Sequence, residues 1–220
     1  MIAAMLRLGR KYGISTAETS AIRCINIHSE FPGTLEGWNR KDNGPLIKIK
    51  DGHGVLFDLL TLAYEFGIFT SIPTIAYECL RDQPLERIFK GVKRADGSRV
   101  ILPPKILQAL TVGFERIMRF QHEEYMWMEN STVIPSASCD EEEECIEARV
   151  KLRRTVAWNE WSNAPDCFAL WFTWRDFSGD FCKPCASAGK AAQAASRGKA
   201  WQALPSFFGL AAWKELKDVQ

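Results

Sequence analysis

The chain has 220 residues, of which 46% are hydrophobic and 25% are charged, ordinary values for a globular protein. A chain of this length can bury one sizeable core or two small ones. Its 28 basic and 27 acidic residues leave a formal net charge of +1. Because the two signs are mixed along the chain, this balance argues against a protein that binds nucleic acid or acidic membranes through bulk charge.

The chain shows no sign of a secretory leader or a membrane span. Its first apolar residues are followed at once by Arg7, Arg10 and Lys11, and no charged region precedes them. The longest apolar stretch, residues 55–68, contains two carboxylates and falls short of the eighteen or so apolar residues that a span needs. We therefore expect an intracellular protein, cytoplasmic or nuclear, whose seven cysteines stay reduced.

Apolar residues at helical intervals predict three helical segments at the start of the chain. They cover residues 2–12, a second helix that begins at Ser15, and a short turn over residues 35–38. Glu18 follows Ser15 by three positions, which is the spacing of a capping box. Turn-forming residues then predict a loop over residues 40–54.

The middle of the chain is also predicted to be helical. Residues 55–66 carry the strongest amphipathic pattern, a second helix begins after Ser71, and a short one covers residues 84–89. A long helix runs from Pro103-Pro104 to about residue 128. Only residues 99–102 have strand character, so we predict an all-α fold with at most one short strand or hairpin.

The last third of the chain contains two further helices around a tryptophan-rich segment. The acidic residues 140–144 open the first helix, where the helix dipole favours negative charge. Trp158, Trp161, Trp171 and Trp174 follow, and we interpret them as core residues. An alanine-rich helix over residues 186–204 is expected to end at Pro205, and the apolar tail Phe207, Phe208, Leu210 and Trp213 to fold back.

Four cysteines stand in two pairs within this last third. The two-residue gap in Cys182-Lys-Pro-Cys185 lets both sulfurs face one point. Cys139 and Cys145 are six positions apart, so Cys139 must precede the helix that carries Cys145 if their sulfurs are to meet. We predict that the four thiols hold a structural zinc ion. The alternative is four ordinary buried cysteines, since free cysteine is often buried.

No catalytic arrangement stands out, and no catalytic residue is assigned. His28, His53 and His122 are far apart, and the chain lacks a phosphate loop, a nucleophile elbow and a dinucleotide fingerprint. We therefore predict a protein that is not an enzyme. The alternative is a thiol redox or zinc-dependent enzyme centred on Cys182 and Cys185, although no strand–helix–strand pattern surrounds this motif.

Three separated stretches of the sequence resemble motifs of one protein family. They are Leu6-Arg-Leu-Gly-Arg-Lys-Tyr-Gly13, Phe31-Pro-Gly-Thr-Leu-Glu-Gly-Trp-Asn39, and a close formed by Cys182-Lys-Pro-Cys185, a long helix and Leu204-Pro-Ser-Phe-Phe-Gly-Leu210. Together they resemble the C-terminal portion of BTB/POZ-domain proteins of mushroom-type (basidiomycete) fungi. The resemblance extends from about Ile2 to Leu216.

This resemblance implies three units. Residues 1–30 would be the helix pair that ends a BTB unit, residues 31–138 a helical extension, and residues 139–220 a cysteine- and tryptophan-containing helical unit. The BTB core itself would precede residue 1, and we expect it to be missing. The family relation implies a non-enzymatic protein–protein interaction module, a truncated adaptor.

The expected partner is a protein, bound by self-association or as an adaptor. Without a BTB core, Ile2, Met5 and Leu6 lack their usual packing partner, so we predict an exposed apolar patch near residues 1–12. We expect no nucleic-acid partner, no membrane and no small-molecule substrate.

Overall fold

The computed structural model of the protein describes residues 7–9, 11–14, 16, 31–42, 54–94, 96–129, 131–159, 174 and 178–219. Helices cover most of these residues, and the strands among them form one two-stranded sheet, so the predicted mainly helical fold is confirmed. Among the described residues, no helix combines the length and apolar character that crossing a lipid bilayer requires. The predicted helices over residues 2–12 and after Ser15 lie mostly outside these residues.

Helices and one β-hairpin follow one another along the described part of the chain. The helices are α1 (Leu35–Asp42), α2 (Val55–Phe66), α3 (Ile72–Asp82), α4 (Leu85–Lys90), α5 (Pro104–Glu124), α6 (Glu142–Asn159) and α7 (Lys183–Phe207). Short 3-10 turns cover Met126–Met128 and Trp213–Glu215. Strands β1 (Val92–Lys93) and β2 (Arg99–Val100) pair antiparallel as a hairpin, which agrees with the predicted limit of one short strand or hairpin, although β1 itself was not predicted.

The main core is built around α2 and α3. Its fully buried side chains include Phe57, Leu60, Ile72, Ile75, Tyr77 and Leu80. Trp38 of α1 lies between two other rings, with its centroid 5.8 Å from Tyr77 and 6.0 Å from Trp201. Because Tyr77 belongs to α3 and Trp201 to α7, this single tryptophan joins three helices of the main core.

Helix α5 packs closely against the end of α7 at a glycine. A Cβ atom on Gly113 would lie 2.5 Å from Cε1 of Phe208, which is closer than packed carbon atoms approach. Polar contacts support the same pair of helices: Ser196 donates to the carbonyl of Glu124 at 3.2 Å, and Arg116 to that of Ser206 at 2.6 Å. Gly113 therefore sets the distance between α5 and α7.

The end of α7 differs from the sequence prediction, because the helix continues through Pro205 to Phe207. A proline inside a helix has no N–H for the carbonyl four residues earlier, here that of Trp201. The indole N–H of Trp213 donates to this carbonyl at 2.6 Å, and the two indoles stack 5.0 Å apart. The helix ends at Phe207, and the chain then turns through Gly209, where φ is +73°.

The residues that follow the 3-10 turn Trp213–Glu215 contact the loop between α2 and α3. The carboxylate of Asp218 accepts hydrogen bonds from the backbone N–H of Thr70 at 2.9 Å and from its hydroxyl at 3.0 Å. The N–H of Val219 donates to the carbonyl of Gly67 at 2.9 Å. The bonds between Thr70 and Asp218 join positions 148 residues apart in the sequence.

A second, smaller core lies between the first turns of α6 and α7. Its buried members are Trp127, Met128, Ile134, Cys145, Ala148, Leu152, Trp174, Phe181, Cys182 and Cys185. Helix α7 contributes to both cores, with Cys185 in the second and Ala200, Trp201 and Leu204 in the main core. The division of the chain into three units stays a prediction.

Replacing Gly113 by alanine should destabilise the protein. The added methyl group meets Phe208, and overpacking of this kind costs about 1–3 kcal/mol. Gly198 is the matched control, since it lies inside α7 and a Cβ atom added there would meet no atom within 4 Å. Gly198→Ala should raise the free energy of unfolding by roughly 0.5–1 kcal/mol. Urea denaturation measures both, and equal signs for the two variants would contradict the close packing.

Trp213→Phe should lower the free energy of unfolding by roughly 1–2 kcal/mol, because it removes the donor to the Trp201 carbonyl. Pro205→Ala restores a backbone N–H at the position that normally bonds this carbonyl. The loss caused by Trp213→Phe should therefore shrink in the Pro205→Ala background. A double-mutant cycle by chemical denaturation tests this, and strictly additive effects would show that the two groups do not serve the same carbonyl.

Candidate metal centre

The four cysteines lie at or just before the N-termini of two helices, α6 and α7. Cys139 lies in the loop before α6, where its N–H donates to the carbonyl of Ser136 at 3.0 Å. Cys145 lies in the first turn of α6, Cys182 is the N-cap of α7, and Cys185 lies in the first turn of that helix. The sequence prediction that Cys139 precedes the helix carrying Cys145 is confirmed.

The four sulfur atoms converge on one point. All four lie within 4.8 Å of one another, and the Sγ atoms of Cys139 and Cys182 are 3.7 Å apart. Cys145, Cys182 and Cys185 are buried, and Cys139 is half-buried. The two pairs, distant in sequence, therefore form a single cluster.

The separation of the sulfurs fits a tetrahedral metal. A zinc–sulfur bond of about 2.3 Å places the sulfurs of a four-thiolate site roughly 3.8 Å apart. The 3.7 Å between Cys139 and Cys182 matches one edge of such a tetrahedron. The widest separation, at most 4.8 Å, requires only a shift of about 1 Å on binding.

Backbone donors already point at two of the sulfurs. The N–H of Ser136 lies 3.3 Å from Sγ of Cys185, and the N–H of Cys182 lies 3.4 Å from Sγ of Cys145. Donors of this kind stabilise thiolates and orient them toward a metal. The loop before α6 and the start of α7 thus each supply a ligand and a supporting donor.

Proton affinity differs among the thiols. Burial raises the pKa of Cys145 and that of Cys139 above the ordinary value for cysteine. Burial also acts to raise the pKa of Cys185, but the N–H and side chain of Ser136, together with neighbouring thiols, outweigh it and lower that pKa. The thiols of Cys139 and Cys145 therefore hold their protons more tightly than that of Cys185 does.

The surrounding charges favour anionic sulfur. The N-termini of α6 and α7 both face the cluster, and the partial positive charge at a helix start stabilises thiolates. The acidic residues that open α6 add negative charge near the thiols, which by itself would oppose a cluster of anionic sulfurs. Glu142, Glu143 and Glu144 are exposed, so water screens their charge from the sulfurs.

An aromatic wall covers the cluster on the side of α7. Trp174 stacks on Phe181 with centroids 5.6 Å apart, and its indole N–H donates to the carbonyl of Ala186 at 2.9 Å. Its ring fills the space where a Cβ atom on Gly189 would stand. The prediction that the tryptophans are core residues is confirmed for Trp174, while the side chains of Trp158, Trp161 and Trp171 lie outside the described residues.

Two residues beside the cluster could not be identified from the sequence, and other cysteine and histidine residues lie away from it. Ser136 and Trp127 adjoin the cluster through the fold, and no spacing rule marks them in the sequence. Cys79 is buried in the main core, and His122 is exposed on α5. His28 and His53 fall outside the described residues.

The comparisons with known proteins assign no family. No protein-family model matches the chain, and no curated protein or solved structure matches it either. The resemblance to BTB/POZ-domain proteins therefore stays a prediction that rests on the sequence motifs alone.

Proposed function

We propose that Cys139, Cys145, Cys182 and Cys185 bind one structural zinc ion within a non-enzymatic protein-interaction module. The observation that carries the zinc proposal is the convergence of four thiols within 4.8 Å, contributed by two separate parts of the chain. The ion would join the start of α6 to the start of α7. Reduced thiols suit an intracellular, cytoplasmic or nuclear protein.

The ligand set supports a structural rather than a catalytic zinc. Zinc takes four ligands in structural sites, whereas catalytic sites keep one position open for water or substrate. Here four thiols complete the tetrahedron, and three of them are buried. This arrangement leaves no coordination position for a reacting group.

The second core is small, and this indicates what a bound ion would contribute to the fold. Three of the ten buried residues in this core are the metal-facing cysteines, so its apolar content is small. In small units of this kind the free energy of metal binding is also free energy of folding. Zinc would therefore hold the start of α6 against α7, while the main core supports the other end of α7.

The proposed partner is a second copy of the chain, bound through an apolar patch formed by Leu8, Tyr12 and Ile14. These side chains are 52%, 64% and 48% exposed. Arg7 holds the segment against α2 through a two-pronged ion pair with Glu65, at 3.0 and 2.9 Å. With a formal net charge of +1, two copies repel each other little. The resemblance to adaptor proteins supports the same role.

A thiol redox function is the second candidate, and the lowered pKa of Cys185 favours it. In a redox dithiol Cys182 and Cys185 would form a disulfide with each other. The nearest sulfur contact of Cys182 given by the structure is instead with Cys139, from the other pair. This cross-pair contact suits a shared ion better than a dithiol.

Tag-free protein should contain about one zinc ion per chain, because four thiolates form a closed tetrahedral site. Cys145→Ser and Cys182→Ser should each abolish stoichiometric zinc and lower the thermal stability of the protein. Elemental analysis measures the zinc, and replacement by Co²⁺ should give the intense sulfur-to-metal absorption of a four-thiolate site.

Cys79→Ala is the matched control for these variants. Cys79 is buried in the main core, so its replacement should lower stability while the zinc content stays unchanged. Wild-type protein made in zinc-containing medium but free of zinc would sink the proposal. Rapid alkylation of Cys182 or Cys185 below neutral pH in that metal-free protein would then support the redox alternative.

The double variant Leu8→Ser, Tyr12→Ser should be monomeric under conditions in which the wild type forms dimers, because it removes the exposed apolar surface. Sedimentation velocity over a range of concentrations measures this. Phe89→Ser is the control, since Phe89 is 51% exposed but lies on α4. A wild type that stays monomeric at every concentration, or equal effects of the two changes, would rule out this interface.

A further inference from the structure

A cavity of about 400 Å³ lies between the end of α4 and the hairpin, far in the sequence from the four cysteines. Its walls are formed by Glu86, Arg87, Lys90, Gly91, Val92, Lys93 and Arg99. Four of these side chains are cationic and one is a carboxylate, whereas the whole chain is nearly neutral. Positive charge is therefore concentrated at this cavity.

The cations of the cavity are only partly neutralised within the protein. Glu86 pairs with Lys90 at 2.6 Å. No ion pair of Arg87, Lys93 or Arg99 occurs within the part of the chain that the structure describes. The nearby Arg94 differs, since it is paired with Asp58 at 2.6 Å and does not line the cavity.

The strand register brings two cations face to face. Lys93 on β1 lies directly opposite Arg99 on β2, and both side chains line the cavity. Like charges opposite each other in an antiparallel pair are destabilising. On the other face of the hairpin Val92 pairs with Val100, and both are buried, so a shift in register that relieved the repulsion would expose them.

Arg99 is also held in place. Its Nη1 donates to the carbonyl of Lys90 at 2.7 Å, near the end of α4. This bond occupies one of the five N–H groups of the guanidinium and leaves others for a ligand. A guanidinium fixed in this way can make paired hydrogen bonds to a tetrahedral oxyanion with little loss of side-chain entropy.

We propose that this cavity binds a phosphate group, as free phosphate or as a small phosphate monoester. The dianion would lie between Lys93 and Arg99 and relieve their repulsion, while Arg87 and Lys90 supply further positive charge. The site is independent of the zinc proposal, since none of its residues belongs to the second core.

The test is calorimetric titration of the full chain with inorganic phosphate and with methyl phosphate. At constant ionic strength we expect dissociation constants below about 1 mM, and no heat of binding with chloride. Arg87→Gln and Lys93→Gln should each weaken binding roughly tenfold or more, because each removes a charge-assisted contact. Binding of both probes identifies a monoester site, and binding of inorganic phosphate alone identifies a site for the free ion.

Thermal unfolding separates a ligand site from a merely structural cluster. Phosphate should raise the melting temperature of the wild type more than chloride of equal ionic strength does. Lys93→Gln should match or exceed the wild type without phosphate, because the repulsion is gone, and should lose the phosphate-induced rise. Lys190→Gln, which replaces an exposed cation on α7, is the control and should keep it. Absence of phosphate binding by the wild type, or equal losses in the Lys190 variant, would overturn the proposal.

Discussion

The structure depends on how α7 is held along its 25 residues. Its N-cap and first turn carry two of the four clustered thiols. Ser196, in its middle, donates to the last carbonyl of α5, and its end packs on Gly113. A long helix with small residues can approach its neighbours closely, but it has few large side chains of its own. Apart from the bond made by Ser196, its main contacts are at its two ends, with the cysteine cluster at the start and with aromatic side chains at the end.

The two ends of α7 are held by different kinds of interaction. The end of α7 is secured by Trp201 and Phe208 within a core that also contains α2 and α3, where burial of apolar surface supplies the stabilisation. The start of α7 faces a core that is small and rich in cysteine. The burial of apolar surface contributes less stability there, so the proposed ion would stabilise the part of the structure that hydrophobic packing stabilises least.

The local sequence pattern predicts the helices, whereas the features that it misses depend on contacts between residues distant in the sequence. The pattern of residues 55–66 predicts α2 to the residue, and the six-position step between Cys139 and Cys145 correctly places one before α6 and the other within it. The continuation of α7 through Pro205 is missed, because the compensating donor belongs to Trp213 outside the helix. The facing of Lys93 and Arg99 depends on a strand register that composition does not reveal.

The bonds between Thr70 and Asp218 have a topological consequence. They bring together two points 148 positions apart, and the second core, from Trp127 to Cys185, lies entirely within the enclosed stretch. The main core thus receives its chain segments from both sides of an insertion. An insertion anchored in this way can open locally without opening the body that carries it. If the segment that carries the sulfur cluster opened in this way, the contacts of the main core on either side of it would remain.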